Sequence, residues 1–288
     1  MAVAAGTTWS FGALCARMAD GADAWQYLIW RSIGIIVVIE FAARWKGRPP
    51  QTLRSYRSGA WMVLANVCLF LASVAYVYAV KNTTAANAAF LSSVSPLIAV
   101  VLARVLLHER LTAVTVGAIV VALVGLAAMV SADIGTGSMT GNLSAVASAL
   151  GFAGYTICVR SDRARDWSPV LPGYGALMIA VCAVACILNG RSFVPRWQDI
   201  AWAMFHGMVL IVVGTLLFNR ASRRVPAVAM TVFAQSESVF APFWVFLVLS
   251  ERPGARTLLG GALVLAAVVG KALLDARRTN RPAPVLPA

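Results

Sequence analysis

Ten apolar runs, each about as long as a membrane is thick, fill this chain and are joined by a few polar or basic residues. They cover residues 2–17, 24–43, 58–80, 83–107, 112–131, 141–160, 168–188, 200–221, 226–250 and 254–275. A helix crossing the hydrocarbon core needs about 20 mostly apolar residues. Lipid offers no hydrogen-bond partner to bare backbone, so a spanning segment must be a helix or part of a closed barrel. Runs this long predict an all-α integral membrane protein with ten transmembrane helices. Composition agrees: 12% of the 288 residues are charged, against about 25% in a soluble domain. The first run is short and reads as a little-tilted helix or a half-length helix at a mouth.

Part of the chain recurs. From Thr83 it reads TTAANAAFLSSVSPLIAVVLARVLLHERLTAVTVG, and from Val225 it reads VPAVAMTVFAQSESVFAPFWVFLVLSERPGARTLLGG. A shift of 142 places Glu109 on Glu251, Arg110 on Arg252, Pro96 on Ser238 and Lys81 on Arg223. A glycine-spaced run follows each Glu-Arg, GAIVVALVG from Gly117 and GALVLAAVVG from Gly261. A period near half the chain length indicates duplication. The halves are residues 1–131 and 141–278, with a linker at 132–140 too short for a soluble domain and a proline-rich tail at 279–288 expected to be disordered. Five helices per half is an odd number, so the second half starts from the other side of the membrane. Two inverted five-helix repeats around a central cavity are the build of many secondary transporters.

Orientation follows from basic residues in the connections. With the N-terminus in the cytoplasm, inner segments hold Arg44, Lys46, Arg48, Arg54, Arg57, Arg104, Arg110, Arg160, Arg163, Arg165, Arg220, Arg223, Arg224, Arg277, Arg278 and Arg281. Outer segments hold Arg17, Lys81, Arg191, Arg196, Arg252 and Arg256. The count of 16 against 6 predicts both termini in the cytoplasm. The net charge of +13 therefore reads as topology, and no nucleic-acid partner is expected. The first run lacks the basic flank of a cleavable leader. Cys15, Cys68, Cys158, Cys182 and Cys186 sit inside apolar runs at no metal-like spacing and read as small buried hydrophobes. No cofactor or metal is predicted.

Each half closes with a Pro- or Glu-bearing helix, a Glu-Arg turn and a Gly/Ala-rich helix. With Trp9 in the first helix, Arg31 in the second and Glu237 of the Ser-Glu-Ser in the ninth, the chain resembles the EamA-type transporters of the drug/metabolite transporter superfamily. In that family the last motif is commonly Glu-Pro; here Ser238 replaces the proline and Pro242 lies one turn later, which displaces any kink. The resemblance covers nearly the whole chain. It implies export of a small metabolite across a bacterial inner membrane, and by size and aromatic content the nearest likeness is to bacterial aromatic amino-acid exporters.

Ionisable groups inside a bilayer are costly, so each is a functional candidate. Glu237 lies midway along the ninth run beside Gln235. It reads as an acceptor of a substrate ammonium or proton in a solvated cavity, or as a structural carboxyl fixing the packing. Arg31 reads as structural, reaching the interface or pairing an acid such as Glu237 or Asp20; the other reading is a partner for a substrate carboxylate. His206 reads as a satisfied packing residue or a proton carrier. Asn87, Ser93 and Pro96 mark the fourth run as a cavity wall, since a proline near mid-membrane frees a carbonyl that protein or water must satisfy. Trp9, Tyr76, Tyr78, Phe90 and Tyr155 are candidate apolar walls, against the alternative of interfacial belts. Glu109 and Glu251 are structural or coupling candidates. Gly117/Gly125 and Gly261/Gly270 predict close helix approach in the fifth and tenth runs, bracing the bundle or forming a dimer contact.

These features predict a secondary transporter working by alternating access on amino acids or similar metabolites, as a monomer or weak homodimer in the lipid bilayer. A passive channel or a drug transporter of the same fold are the alternatives. With no His-Glu-x-x-His, no Gly-x-Ser-x-Gly and no Walker A pattern, neither an intramembrane enzyme nor an ATPase is expected.

Overall fold

Where an apolar run meets a local stop signal, the helix ends. The computed structural model describes residues 2–106, 108, 112–132, 139–162, 165–222 and 235–279. In chain order the helices are α1 (Ala2–Met18), α2 (Ala24–Trp45), α3 (Gln51–Arg57), α4 (Ala60–Asn82), α5 (Ala85–Ser92), α6 (Ser95–Leu106), α7 (Ala113–Ala132), α8 (Met139–Ser161), α9 (Val170–Leu188), α10 (Trp197–Phe205), a π-helical turn (His206–Ile211), α11 (Val212–Ser222), α12 (Ser236–Leu249) and α13 (Ala255–Thr279). Asp23 starts α2 through a capping box: its carboxylate accepts from the Gln26 amide at 2.9 Å, and its own amide donates back to Gln26 Oε1 at 3.1 Å.

Among the described residues, eight helical stretches are long and apolar enough to cross a membrane. The 17-residue α1 and 14-residue α12 are shorter; the start of the ninth run, 226–234, lies outside the described residues. The regular structure of the described residues is thus all helical, with several stretches able to cross a membrane.

Three local features depart from the ten uniform runs. The fourth run is two helices, α5 and α6, separated by a turn at Ser93–Val94. Pro96 falls in the first turn of α6, where its missing N–H costs nothing. Serine hydroxyls line the break: Ser93 Oγ donates to the Phe90 carbonyl at 2.7 Å, and Ser92 Oγ reaches the Ala145 carbonyl of α8 at 3.1 Å. The eighth run widens into a π-turn where Gly207 lies against the Arg31 backbone; a Cβ there would come within 2.0 Å of the Arg31 carbonyl oxygen. The short polar α3 belongs to no apolar run. Glu40 of α2 holds its start, accepting the Gln51 amide at 3.0 Å and the Thr52 amide and hydroxyl at 2.6 Å.

The packing repeats itself on exchange of elements. The α4–α8 contact has a counterpart in α1 against α11 and the π-turn, α2–α10 in α9–α4, and α1–α12 in α8–α5/α6, while α2–α9, α5–α12 and α7–α13 map onto themselves. Residue pairs follow the offset of 142 seen in the sequence. Gly151 lies against the Ala72 backbone, and at the matching pair Trp9 lies against Gly214; Gly12 and its counterpart Gly154 each pack on the partner helix, on His206 and on Cys68, one turn out of register. His108 and Ser250, each directly before a Glu-Arg, are the only described non-glycine residues at positive φ, both at 55°.

The main core lies between α1, α2, α4, α5, α8 and α9, with Tyr27, Leu28, Ile35, Met62, Leu91 and Met178 almost wholly buried. A second cluster joins Val94 and Leu97 to Ala122 of α7 and Val264 and Val268 of α13. Helices α7 and α13 cross at Gly125 and Gly260, where a Cβ on either would come within 2.5–2.6 Å of the other's carbonyl oxygen. Gly117 and Gly270 have open space beside them, so of the expected glycines only Gly125 makes the close approach, against Gly260 rather than Gly261 or Gly270. Gly261 instead receives the Phe90 ring. Large apolar side chains such as Trp45 (82% exposed) and Leu188 (80%) cover the outside, as lipid contact requires.

Candidate functional site

Helix α12 begins deep in the bundle at the position where α6 begins in the first half. Ser238 N–H donates to the Gln235 carbonyl at 3.1 Å, as Leu97 N–H donates to Val94 at 2.9 Å. Glu237 lies in the first turn of α12, at the positive end of the helix dipole, where a carboxylate is favoured. Its side chain is half-buried. Tyr76 of α4 is within electrostatic reach of that carboxylate. Gln235 is buried, and among the described residues its Oε1 has no hydrogen-bond partner.

The remaining candidates separate into packing roles and a second polar cluster. Phe90 (7% exposed) is driven into Gly261, so it knits α5 to α13 rather than walling an open space. Asn87 is fully buried and donates to Thr83 Oγ1 at 3.4 Å and Asn142 Oδ1 at 3.3 Å, at the α5–α8 contact. Ser93 is the C-cap of α5. Trp9 rests its indole on Gly214 of α11, and Tyr155 packs on Phe152 at 5.8 Å. Glu109 lies outside the described residues.

The second cluster surrounds Arg31. One of its Nη atoms donates to Ser73 Oγ of α4, and Tyr27, Tyr174, His206 and Cys182 lie within its electrostatic reach. His206 is buried, and its Nδ1 shares a hydrogen bond of 2.7 Å with the Tyr27 hydroxyl. The expected acidic partners of Arg31 are elsewhere. Asp20 pairs with Arg196, and among the described residues Glu237 forms no ion pair with Arg31.

Glu251 organises one end of the bundle. Its Oε1 accepts the Ala85 amide at 2.7 Å, at the start of α5, and its Oε2 pairs with Arg17 Nη2 at 3.1 Å. Arg17 also donates to the Thr83 carbonyl at 2.5 Å. Beside this latch a cavity of about 450 Å³ opens between α1, α2, α4 and α9. Tyr78 lines it with Asp20, Asp23, Lys81 and Arg191, so Tyr78 belongs to a mouth and not to mid-membrane. Lys81 donates to the Ala19 and Ala22 carbonyls at 2.7 Å and covers the Tyr27 ring. At the opposite end Arg54 meets Asp166 at 3.0 Å. Burial raises the Asp166 pKa, but hydrogen bonds from Ser168 and Arg54 outweigh it and hold the carboxyl below its ordinary range.

Sequence reasoning missed the Arg17–Glu251–Ala85 latch and the Glu40 cap of α3. The repeated Glu-Arg marked Glu251 as special, but nothing local named its partners.

Comparison with known proteins places this geometry. An uncharacterized transporter of Archaeoglobus fulgidus is 29% identical over 242 residues, covering 82% of each chain. The pseudopaline exporter CntI of Pseudomonas aeruginosa is 26% identical over 219 residues, covering 74% of this chain and 75% of the exporter. A solved crystal structure with 22% identity matches the fold at a TM-score of 0.66 over 96% of this chain and 97% of its own. The EamA-like transporter family model matches twice, at residues 1–131 and 139–271, and the chain belongs to that family: it is a multi-pass membrane transporter of the drug/metabolite transporter superfamily.

Proposed function

We propose that this protein is a secondary transporter that exports small metabolites, foremost amino acids with aromatic or apolar side chains, by alternating access between two inverted five-helix repeats. The observation that carries the reading is Glu237: a half-buried carboxylate in the first turn of α12, within electrostatic reach of Tyr76. A helix N-terminus at mid-depth carrying a charged group is a feature of transporter substrate sites. Duplication is supported by the double family match, the exchange-invariant packing and the paired left-handed residues before Glu-Arg. Inversion follows from five helices per half. The excess of basic residues in alternate connections supports termini in the cytoplasm of a bacterial inner membrane, with the Glu251 end outside.

The test is counterflow into proteoliposomes with a panel of labelled amino acids and small drugs, repeated with Glu237→Gln. Saturable exchange of at least one amino acid, lost or stripped of its pH dependence in the variant, is the expected result. Ohmic current without saturation supports a channel instead. Unchanged flux and pH profile in Glu237→Gln would remove that residue from the mechanism.

A further inference from the structure

Arg31 is a permanent cation that is 3% exposed inside a membrane bundle, with its Nε unbonded. No carboxylate among the described residues pairs with it. Every other charged group deep in the described structure has an evident accommodation: Lys81 is bonded to two carbonyls, Lys271 to Asp275 at 2.5 Å, and Glu237 is half-buried at a helix start. Around Arg31 stand a serine, two tyrosines, a histidine and a cysteine, none of them an anion-bearing partner. An uncompensated buried cation is strongly unfavourable, and retained intramembrane charges mark substrate paths.

We propose that Arg31 is the anchor for a carboxylate on the transported molecule. A guanidinium offers a planar fork that matches a carboxylate with two parallel hydrogen bonds. Its surroundings leave that fork half unused: Ser73 takes one nitrogen and Nε stays free. The placement ties the cluster to the Glu237 site. Ser73, which accepts from Arg31, and Tyr76, which is within electrostatic reach of Glu237, are three residues apart on α4, so they share one face about 4.5 Å apart along the axis. The two deep charges of opposite sign flank that face without pairing. A molecule with a carboxylate at one end and an ammonium at the other satisfies both, the carboxylate on Arg31 and the ammonium on Glu237. The π-turn carrying His206 closes over the Arg31 backbone through Gly207, and such turns gather at functional sites. This inference rests on the transporter reading above and narrows its substrate class to carboxylates.

The experiment pairs each acid with its decarboxylated amine, L-phenylalanine with phenethylamine and L-leucine with isoamylamine, and adds potassium chloride as a simple anion. Thermal shift of the purified protein in detergent reads binding without transport; counterflow of labelled L-phenylalanine and L-leucine reads function. Wild type should be stabilised by at least one acid and far less by its amine or by chloride. Arg31→Gln should weaken the acid roughly ten- to hundredfold, the loss of charge-assisted bonds, while leaving the amine's weak effect unchanged; Arg31→Lys should recover part of the preference. Arg31→Gln that keeps the acid preference overturns the proposal. So does chloride stabilising as strongly as the acids, or no acid binding to wild type while other solutes of the drug panel are transported. A fall in melting temperature alone, with the acid–amine ratio intact in the surviving folded protein, also overturns it, because Arg31 is then structural. If wild type moves no solute at all, the transporter reading fails first.

Discussion

Replacing Glu251 by glutamine keeps the shape of the side chain and removes its charge, which isolates what the latch between α1, α5 and the α12–α13 turn contributes. Two bonds change. The Ala85 amide at 2.7 Å loses an ionised acceptor: hydrogen bonds to charged groups contribute about 1.5–3 kcal/mol and neutral ones about 0.5–1.5. The ion pair with Arg17 at 3.1 Å, with both side chains about one quarter exposed, contributes no more than about 1 kcal/mol after discounting for screening. Together the substitution should weaken this end by about 1–3 kcal/mol, a shift of roughly 5- to 150-fold in a two-state equilibrium. If closure of this end is one limit of alternating access, the shift appears as local opening. A cysteine at Ala86, buried in the first turn of α5, reports it through its rate of modification by a membrane-impermeant maleimide. A second reporter at Ala65, equally buried near the Arg54 end of α4, is the control. Glu251→Gln should accelerate the Ala86 reporter about tenfold or more and leave the Ala65 reporter unchanged or slower. Equal acceleration at both sites would mean general loosening. No acceleration at Ala86 with the protein intact would show that the latch does not hold the closed end, and the reasoning from these bonds would be refuted.

Gly214→Ala places a Cβ 2.3 Å from the Trp9 indole nitrogen; the rigid ring cannot yield, so a loss of about 1–3 kcal/mol is expected, and Trp9→Ala in the same chain should restore most of it in a thermal-melting cycle. Gly260→Ala collides with the Gly125 carbonyl at 2.5 Å and should destabilise the α7–α13 pair by a similar amount of about 1–3 kcal/mol, whereas Gly117→Ala, with open space, should be neutral or slightly stabilising by circular dichroism. Because the Asp166 carboxyl sits below its ordinary range, its contribution is complete above an unfolded value near about 4 and is lost as pH falls through the lower folded value. Asp166→Asn should therefore lower stability slightly at neutral pH, by no more than about 1 kcal/mol because this pair is about half exposed, and converge with wild type well below pH ~4, so that the acid limb of its melting profile is flatter.

What the sequence made legible is what a helix writes locally: apolar length, a proline that breaks a run, a repeated Glu-Arg turn. The residue before each Glu-Arg is left-handed in the structure, which makes those turns geometric equivalents as well as similar strings. What stayed illegible is contact across long separation. Phe90 looks like a cavity wall until Gly261, far along the chain, supplies the notch it fills. Arg31 invites an acidic partner by its charge, yet Asp20 is bound to Arg196, and among the described residues the guanidinium donates to Ser73 Oγ. Tyr78 and Tyr76 lie two residues apart, and helical rotation sends one to the mouth and the other to Glu237. The π-turn had no sequence mark, because its cause is a neighbouring backbone.

Comparing equivalent places in the two halves separates scaffold from site. Arg54, just ahead of α4, reaches Asp166 in the α8–α9 connection; Arg196, 142 residues later and just ahead of α10, reaches Asp20 in the α1–α2 connection. The ties at the two ends thus obey the exchange. Midway the halves diverge: Gly151 meets Ala72 in one contact, and its counterpart sets Trp9 against Gly214, so one seam is small on small and the other carries an indole. The deep charges diverge as well. Shifting Arg31 by 142 lands on Gly173, and shifting Glu237 back lands on Ser95, so each charge exists in one half only. A duplicated frame that keeps its end ties and breaks symmetry at mid-depth is what rocking between two states requires of a carrier for an asymmetric molecule: matched ends of comparable strength, and a centre that holds its cargo in one orientation. The pairing of Arg31 with a carboxylate and Glu237 with an ammonium is the form of asymmetry that these residues supply.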